Sequence, residues 1–572
     1  MFAPMLVVAE KPSVARIIRS AIKPSPPTVA LKGHILELDF PERFSVWRSV
    51  DPRELFRAPT EWVVRDPEAY RSLAGALKGS GMIVLATDND PEGELIAYEV
   101  LLVAEKVLGG LPRYGRMRFN AATPNELRHA WEFLEPDLRW SWVWKALFRH
   151  SFDLVTGAAY TRLLTLSRRL DPNGRLISWG SCQMPTLWFV YQREMEIRNF
   201  RPEKYYVISA LLDVRGVRVK VSSEPIKDVS AARALYAAAK GSKYAAVRDF
   251  QLKDEVERKP LPTDTDSMLQ DLSKITGLSA AKIMALAESL YGDGYISYPR
   301  TETDMWLTTD HRSILAMLSQ TPLGKHIDLS SYGPRDGRRN DGAHPPIYPT
   351  AYYSGSDIRG KIWEYIARRY LANVVGRDAA LKRWRLSANV GGVSMEASGK
   401  YFVDEGFYQI FPYFKPKDTL WIPQLNVGEK LMVVRVDIEE RKTKPPPHLT
   451  ESELLRLLER HSIGTDATRA DYPQIIVERG YAEKKGRSFH LSSLGETLIN
   501  LLSSVDFRLV TPDTRRYVEQ LMAEVEMGKI NMKSALEEAL KIYEELYEKV
   551  SRSLSILPYN PGGPSPPPPR SP

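Results

Sequence analysis

Residues 81–94 read Gly81-Met-Ile-Val-Leu-Ala-Thr87-Asp88-Asn-Asp90-Pro-Glu92-Gly-Glu94. The apolar run 82–86 has the length and character of a strand buried on both faces, as in the sheet of an α/β domain. It discharges into four carboxylates within seven residues. Such crowding repels itself unless a cation sits there. Hard oxygen ligands on alternate positions of a loop suit Mg²⁺, which keeps most of its water and takes one or two carboxylates plus phosphate. Asp88, Asp90 and Glu92 are therefore candidate metal ligands. A solvated turn ahead of a helix is the other reading of the same residues.

A second stretch, Leu6-Val-Val-Ala-Glu10-Lys11-Pro12-Ser13, has the same design: a short apolar strand, then an acid, a base and a helix start with Pro12 in the first turn. Ligands of open α/β sheets bind beyond the carboxyl ends of the strands. The two strand ends can thus share one crevice, joining an acid, an ammonium and a metal site. Taken alone, Glu10-Lys11 fits an exposed strand end equally well.

At 572 residues the chain exceeds what one core organises. It is 43% hydrophobic, yet no run approaches the roughly 18 apolar residues of a membrane span, and the N-terminus lacks a signal-peptide pattern. A single cysteine, Cys182, rules out an internal disulfide and a multi-cysteine zinc site. The net charge of +8, from 79 Lys+Arg against 71 Asp+Glu, permits a polyanionic partner without requiring one. Arg162 and the Arg168-Arg169 and Arg338-Arg339 pairs, with 12 Trp and 27 Tyr, offer phosphate contacts and stacking surfaces. No GxxxxGK[ST] loop is present, so nothing points to ATP hydrolysis.

Alternating strand and helix patterns predict an α/β domain over 1–140, with helices at 94–107 and 124–133. Residues 141–203 and 446–556 read as mainly helical. Within them a helix at 450–461, another at 473–480 and a strand pair at 481–491 give the order of a winged helix. Strands at 204–212, 217–222, 383–390, 393–397 and 430–437 predict one β domain built from 204–258 and 376–445. Between its halves lies a helical insert, 259–375, with helices at 265–274, 279–290 and 358–372. The Pro-rich tail, 557–572, is expected to be disordered.

In that insert, Tyr291-Gly-Asp-Gly294-Tyr-Ile-Ser-Tyr298-Pro-Arg300-Thr-Glu-Thr303 follows a helix and breaks it with two glycines. A tyrosine attacks poorly at its ordinary pKa of about 10 and needs neighbouring cations to act on phosphate. Arg300, two residues on, has a fork matched to phosphate oxygens. Without context such a tyrosine is an ordinary core or surface residue.

These segments, in this order, resemble the type IA DNA topoisomerases, particularly archaeal and eukaryotic topoisomerase III. The resemblance runs over about residues 5–500. It includes the motifs already quoted and Gly33-His34-Ile-Leu-Glu, Ile177-Ser-Trp-Gly-Ser-Cys-Gln183-Met-Pro-Thr, Ala343-His344-Pro-Pro-Ile and Ile463-Gly-Thr-Asp-Ala-Thr468-Arg469. It implies an N-terminal Toprim domain, winged-helix-like helical domains and a β-rich arch closing a toroid, with 259–375 as a gate. Tyr298 would be the nucleophile, Arg300 the stabiliser of the phosphotyrosine, Glu10 the acid for the leaving 3′ oxygen and Lys11 a contact to the scissile phosphate. Asp88, Asp90 and Glu92, with Glu10, would hold Mg²⁺. His344 would support the tyrosine, although a loop-fixing role serves it equally. Gln183, Arg162, Thr468 and Arg469 would line a single-strand groove.

The implied reaction is ATP-independent: one strand is cut through a 5′-phosphotyrosyl ester, another strand passes, and the break is resealed. The expected substrates are single-stranded and negatively supercoiled DNA, acted on by a monomer in the cytoplasm at the nucleoid, without membrane contact. Ser151, Trp179 and Met184 depart from the family pattern, and no cysteine-rich zinc tail is present. If that tail helps strand passage in relatives, this protein is expected to be slower or to rely on a partner such as a helicase or single-strand-binding protein. A Toprim-type nuclease and a noncatalytic single-strand DNA-binding protein are the competing readings. Neither explains why Glu10, Lys11, Tyr298 and Arg300 occur together.

Overall fold

The computed structural model describes residues 5–171, 174–307, 309–465 and 468–556. The Pro-rich tail 557–572 and Asp466 lie outside the described residues. In the N-terminal part, Thr28–Ala30, Met5–Ala9, Met82–Ala86 and Arg113–Arg116 form a sheet in that spatial order, with parallel neighbours throughout. Ala9 is in register with Ala86, so the two central strands stop at the same level and deliver Glu10 and Asp88 to one edge. Helices cover both faces. Leu6, Val8, Ile83 and Leu85 pack on Leu73, Leu95, Val100 and Val143 on one side. Val7, Ala9, Val84 and Ala86 face the other way.

That second face is not closed by the N-terminal part alone. Its apolar cluster continues into Met268, Leu269, Ile283, Leu290, Tyr291, Tyr298 and Ile362 of the helical insert. Sheet and insert thus share one core, and the insert sits shut against the crevice. Its main helices are Thr265–Thr276, Ala280–Gly292, His311–Ser319 and Ile358–Val374.

The insert is carried on a closed barrel with strand order 379–390, 393–404, 217–222, 204–214, 430–442, 244–257. The strand Tyr244–Glu257 escapes a pattern reading. It alternates in its first half and then turns largely polar, and its register against Ala379–Val390 shifts between Ser387 and Ala388. The helix Val229–Lys240 lies within the section the pattern assigns to strands alone. A further apolar cluster joins the long helix Trp140–Ser167 to Gln183–Asn199, Glu451–Arg460 and the C-terminal helices through Ile556. Two of the departures from the family pattern fill this core: Trp179 stacks on Tyr160 at 4.3 Å between centroids, and Met184 is fully buried. The helices Glu451–Arg460 and Tyr472–Glu478 precede the hairpin Ala482–Lys485/Ser488–Leu491, the predicted winged-helix order.

Candidate active site

The crevice is built from strand ends. The Glu10 N–H donates to the Ala86 carbonyl, and Glu10 Oε2 in turn accepts the Asp88 N–H at 2.9 Å. Lys11 Nζ donates to Asp88 Oδ2 at 2.5 Å and lies 3.6 Å from Glu10 Oε1. Asp90 caps the helix Pro91–Leu108: its Oδ1 accepts the Gly93 N–H at 2.6 Å. Gly93 is required there, because a Cβ would lie 2.0 Å from the Asp88 carbonyl oxygen. A buried arginine fixes the turn from below. Arg116 donates to the carbonyls of Leu85, Thr87, Asp88 and Met117 and pairs with Glu94 at 2.8 Å.

Tyr298 enters this crevice from the insert. Its hydroxyl donates to Asp90 Oδ2 at 2.5 Å, and its backbone N–H donates to the Asn120 carbonyl. The approach depends on Gly294, whose φ is +80° and whose added Cβ would meet the Ala122 carbonyl at 2.9 Å. Tyr291, at the end of the preceding helix, donates to Asp88 Oδ1 at 3.1 Å and packs edge-on to the Tyr298 ring at 5.1 Å. The Lys11 ammonium lies over both rings, 5.4 and 5.9 Å from their centroids. The His344 ring lies 5.1 Å from that of Tyr298, with Nδ1 facing Asp341. Arg300 reaches Glu288 at 2.7–2.8 Å.

Burial and like charge dominate the electrostatics. Burial, with Asp88 next, pushes Glu10 up to about 8. Burial and Asp88 raise Asp90 as well. Burial works to lower Lys11, but Asp88 and Glu10 outweigh it and raise it. Burial and the carboxylates of Asp90 and Asp88 hold the Tyr298 phenol well above its ordinary value, with Arg300 opposing them. Glu10, Asp88 and Asp90 are therefore buried oxygen donors of the kind a hard divalent cation takes, and their repulsion is what such an ion would relieve, although one oxygen from each does not gather within 4.8 Å of the others in this closed arrangement.

Glu92 turns elsewhere. One oxygen meets Arg149 at 2.5 Å, and the other meets His34 at 3.1 Å and His150 at 2.8 Å. Burial opposes its ionisation, but Arg149 and the two histidines outweigh it and hold the carboxyl well below the usual range. The oxygens of Asp88, Asp90 and Glu92 do not gather within 4.8 Å of one another. Asp90, Glu92, Arg149, His344 and Arg469 all border one cleft between the α/β part, the insert and the helical base.

Several residues read as groove-lining are built into the framework. Arg162 is buried, donates to the Phe44 carbonyl at 2.6 Å and stacks its guanidinium over Trp47. Gln183 is buried against Ser178, to which its amide donates at 3.2 Å. The Thr468 hydroxyl accepts the Thr465 N–H. Arg469 donates to the carbonyls of Ile463 and Gly464 and pairs with Asp266 of the insert. Pattern reading missed Tyr291, Arg116, Glu94, Arg149, His150 and Glu99. Tyr291 lies within the quoted tyrosine segment, but only the fold brings its hydroxyl to Asp88.

A family model described as DNA topoisomerase matches residues 137–537, and one described as the Toprim domain, a metal-binding domain, matches 5–122. DNA topoisomerase 1 of Thermoplasma acidophilum is 32% identical over 529 residues, covering 91% of this chain and 67% of the relative. DNA topoisomerase 3-beta of Arabidopsis thaliana is 30% identical over 586 residues, covering 95% and 67%. The solved structure of full-length topoisomerase I from Thermotoga maritima superposes with a TM-score of 0.77 at 24% identity, covering 95% of this chain and 90% of that one, and so shares its fold. The chain belongs to the type IA DNA topoisomerases, close to topoisomerase III.

Proposed function

We propose that this protein relaxes negatively supercoiled DNA without ATP, by cutting one strand and holding its 5′ phosphate on Tyr298. The observation that carries this reading is the Tyr298 hydroxyl sitting on Asp90 at the mouth of the Glu10, Lys11 and Asp88 crevice. The phenolic oxygen attacks phosphorus as the bond to the 3′ oxygen breaks. Asp90, which already accepts the hydroxyl hydrogen, is within reach to take the proton. Glu10, largely protonated at neutral pH, supplies a proton to the leaving 3′ oxygen. Lys11 neutralises the scissile phosphate, and Arg300 serves the phosphotyrosine once it exchanges Glu288 for phosphate. Because the ester conserves the energy of the broken bond, the released 3′ hydroxyl reseals the strand by the reverse step.

Asp88 and Asp90, joined by Glu10 once it has given up its proton, would hold Mg²⁺, which when bound supplies charge for positioning the DNA phosphates. His344 would orient the Tyr298 ring. Thr468, Arg469, Gln183 and Arg162 would shape the strand path from beneath, since their polar groups serve the framework. The proposed division has a Toprim domain at 1–140, a helical base at 141–203 and 446–556, a β arch at 204–258 and 376–445, and a gate at 259–375 that opens to pass a strand. The protein acts on single-stranded regions of DNA, hence in a compartment that contains DNA. Among the described residues no helix is long and apolar enough to cross a membrane.

The test is denaturation of a reaction with single-stranded DNA labelled on the 3′ side of the cut, run beside relaxation of a negatively supercoiled plasmid without ATP. Label retained on protein and a relaxed plasmid are the expected results. Free labelled fragments would indicate a nuclease, and uncut DNA a binder.

A further inference from the structure

Beside the acidic crevice, a second set of donors converges with different chemistry. His34 Nε2 and His150 Nε2 lie 3.1 and 2.8 Å from Glu92 Oε2, and the three ligand atoms all fall within 4.8 Å of one another. Among the described residues no other group of three His, Cys, Asp or Glu side chains meets that condition. A tetrahedral ion with bonds of about 2.0–2.1 Å separates neighbouring ligand atoms by about 3.3–3.4 Å, which the two histidine nitrogens reach by moving a few tenths of an ångström away from Glu92 Oε2.

The supporting residues are those of a metal site. Glu99, fully buried, faces His34 Nδ1 at 2.6 Å with one oxygen. Its other oxygen accepts the backbone N–H groups of Ile35 and Leu36 at 3.0 and 3.1 Å. This pins the ring and presents Nε2 inward, the arrangement in which a carboxylate orients a metal-bound histidine. Arg149 occupies the other oxygen of Glu92 and leaves Oε2 as a single-oxygen ligand. The side chains of His34, Glu92 and His150 are 16, 22 and 30% exposed, which allows an ion to enter and water to complete its shell.

We infer that His34, Glu92 and His150 form a binding site for a borderline divalent transition ion such as Zn²⁺ or Co²⁺. The all-oxygen crevice suits Mg²⁺, whereas imidazole pairs select the softer ions, so the two sites accept different metals. The three ligands come from the loop before Leu36–Asp39, the first turn of Pro91–Leu108 and the long helix Trp140–Ser167. A bound ion therefore staples the α/β part to the helical base and keeps Glu92 turned away from Asp90.

The test is Co²⁺ titration of the full-length protein, followed by visible absorption and calorimetry, with millimolar Mg²⁺ present to occupy the oxygen site. One Co²⁺ per chain, with the visible bands of a nitrogen-ligated ion, is expected. His150→Ala and Glu99→Gln should each weaken it about 10–100-fold. Asp88→Asn and His490→Ala should leave it unchanged, the latter as a control for the adjacent, mutually tilted rings of His448 and His490. His150→Gln, which keeps a polar group against Glu92, replaces His150→Ala if that variant misfolds. The proposal is overturned if the wild type takes up no Co²⁺ at micromolar concentrations, if uptake survives both His150 variants, or if Asp88→Asn or His490→Ala abolishes it.

Discussion

The Tyr298 hydroxyl donates to Asp90 Oδ2 at 2.5 Å, across 208 residues of chain. This bond closes the insert on the α/β domain and sets the proposed nucleophile against one of the acids in the crevice. The structure is thus a closed state with its phenol protonated and buried. An incoming phosphate must displace the contact before attack.

Tyr298→Phe removes the proposed nucleophilic oxygen and keeps the ring packed against Tyr291 and His344. The covalent adduct on labelled single-stranded DNA should fall below detection, while the binding constant by fluorescence anisotropy stays within about threefold, because contacts to the other phosphates of a bound strand supply most of the affinity of a nucleic-acid-binding protein. An adduct formed by the Phe variant would remove Tyr298 from the mechanism.

Asp90 has two jobs that substitutions separate. Asp90→Ala deletes the cap on the Gly93 N–H and should cost about 1 kcal/mol, seen as a lower thermal midpoint. Asp90→Asn keeps a capping oxygen but loses the carboxylate beside Tyr298, so it should slow adduct formation and rejoining while leaving the thermal midpoint nearly unchanged. Equal thermal midpoints for the two variants would show that the cap contributes nothing.

Glu10, pushed up to about 8 by burial and Asp88, sets a pH window. In the unfolded chain it ionises near 4.5, so between about pH 4.5 and 8 the native state holds the extra proton, and this contribution to stability is lost as pH rises through that range. Metal-free, single-turnover cleavage should be level below about pH 8 and fall up to tenfold per unit above it. A rate that keeps rising through pH 9, measured by adduct quenching, would rule Glu10 out as the proton donor.

Arg116 is fully buried, and its partners are Glu94 and four backbone carbonyls around the turn that carries Asp88. Arg116→Met leaves the Glu94 charge with less compensation and those carbonyls without a donor, a loss of about 3–5 kcal/mol. Differential scanning calorimetry should show the N-terminal transition at a much lower temperature. An unchanged transition would mean that Arg118, which also pairs with Glu94, suffices.

The Asp266–Arg469 pair joins the insert to the helical base. Burial raises Asp266 to about 6 even beside Arg469. Asp266→Asn should speed amide exchange in the helix Thr265–Thr276, as read by hydrogen–deuterium mass spectrometry. No change there would place the hold on the insert in other contacts, such as that between Arg339 and Glu459.

The sequence by itself determined the local chemistry. Two apolar runs ending in Glu10-Lys11 and in Asp88, Asp90 and Glu92, and a glycine-broken helix end carrying Tyr298-Pro-Arg300, were legible because strand burial, helix caps and turns are short-range properties. Tertiary structure decided what those residues face. Ala9 and Ala86 in register bring two distant strand ends together, and the Gly294 turn brings Tyr298 to Asp90 rather than to another acid. Glu92 lies four positions from Asp88, yet it faces Arg149 and His150 of a helix more than fifty residues on. Arg162 on the long helix and Gln183 at the start of the next are supports of the framework because the packing of the helical base buries both. Side-chain direction and burial depend on which elements meet, and that is a long-range outcome no local pattern encodes.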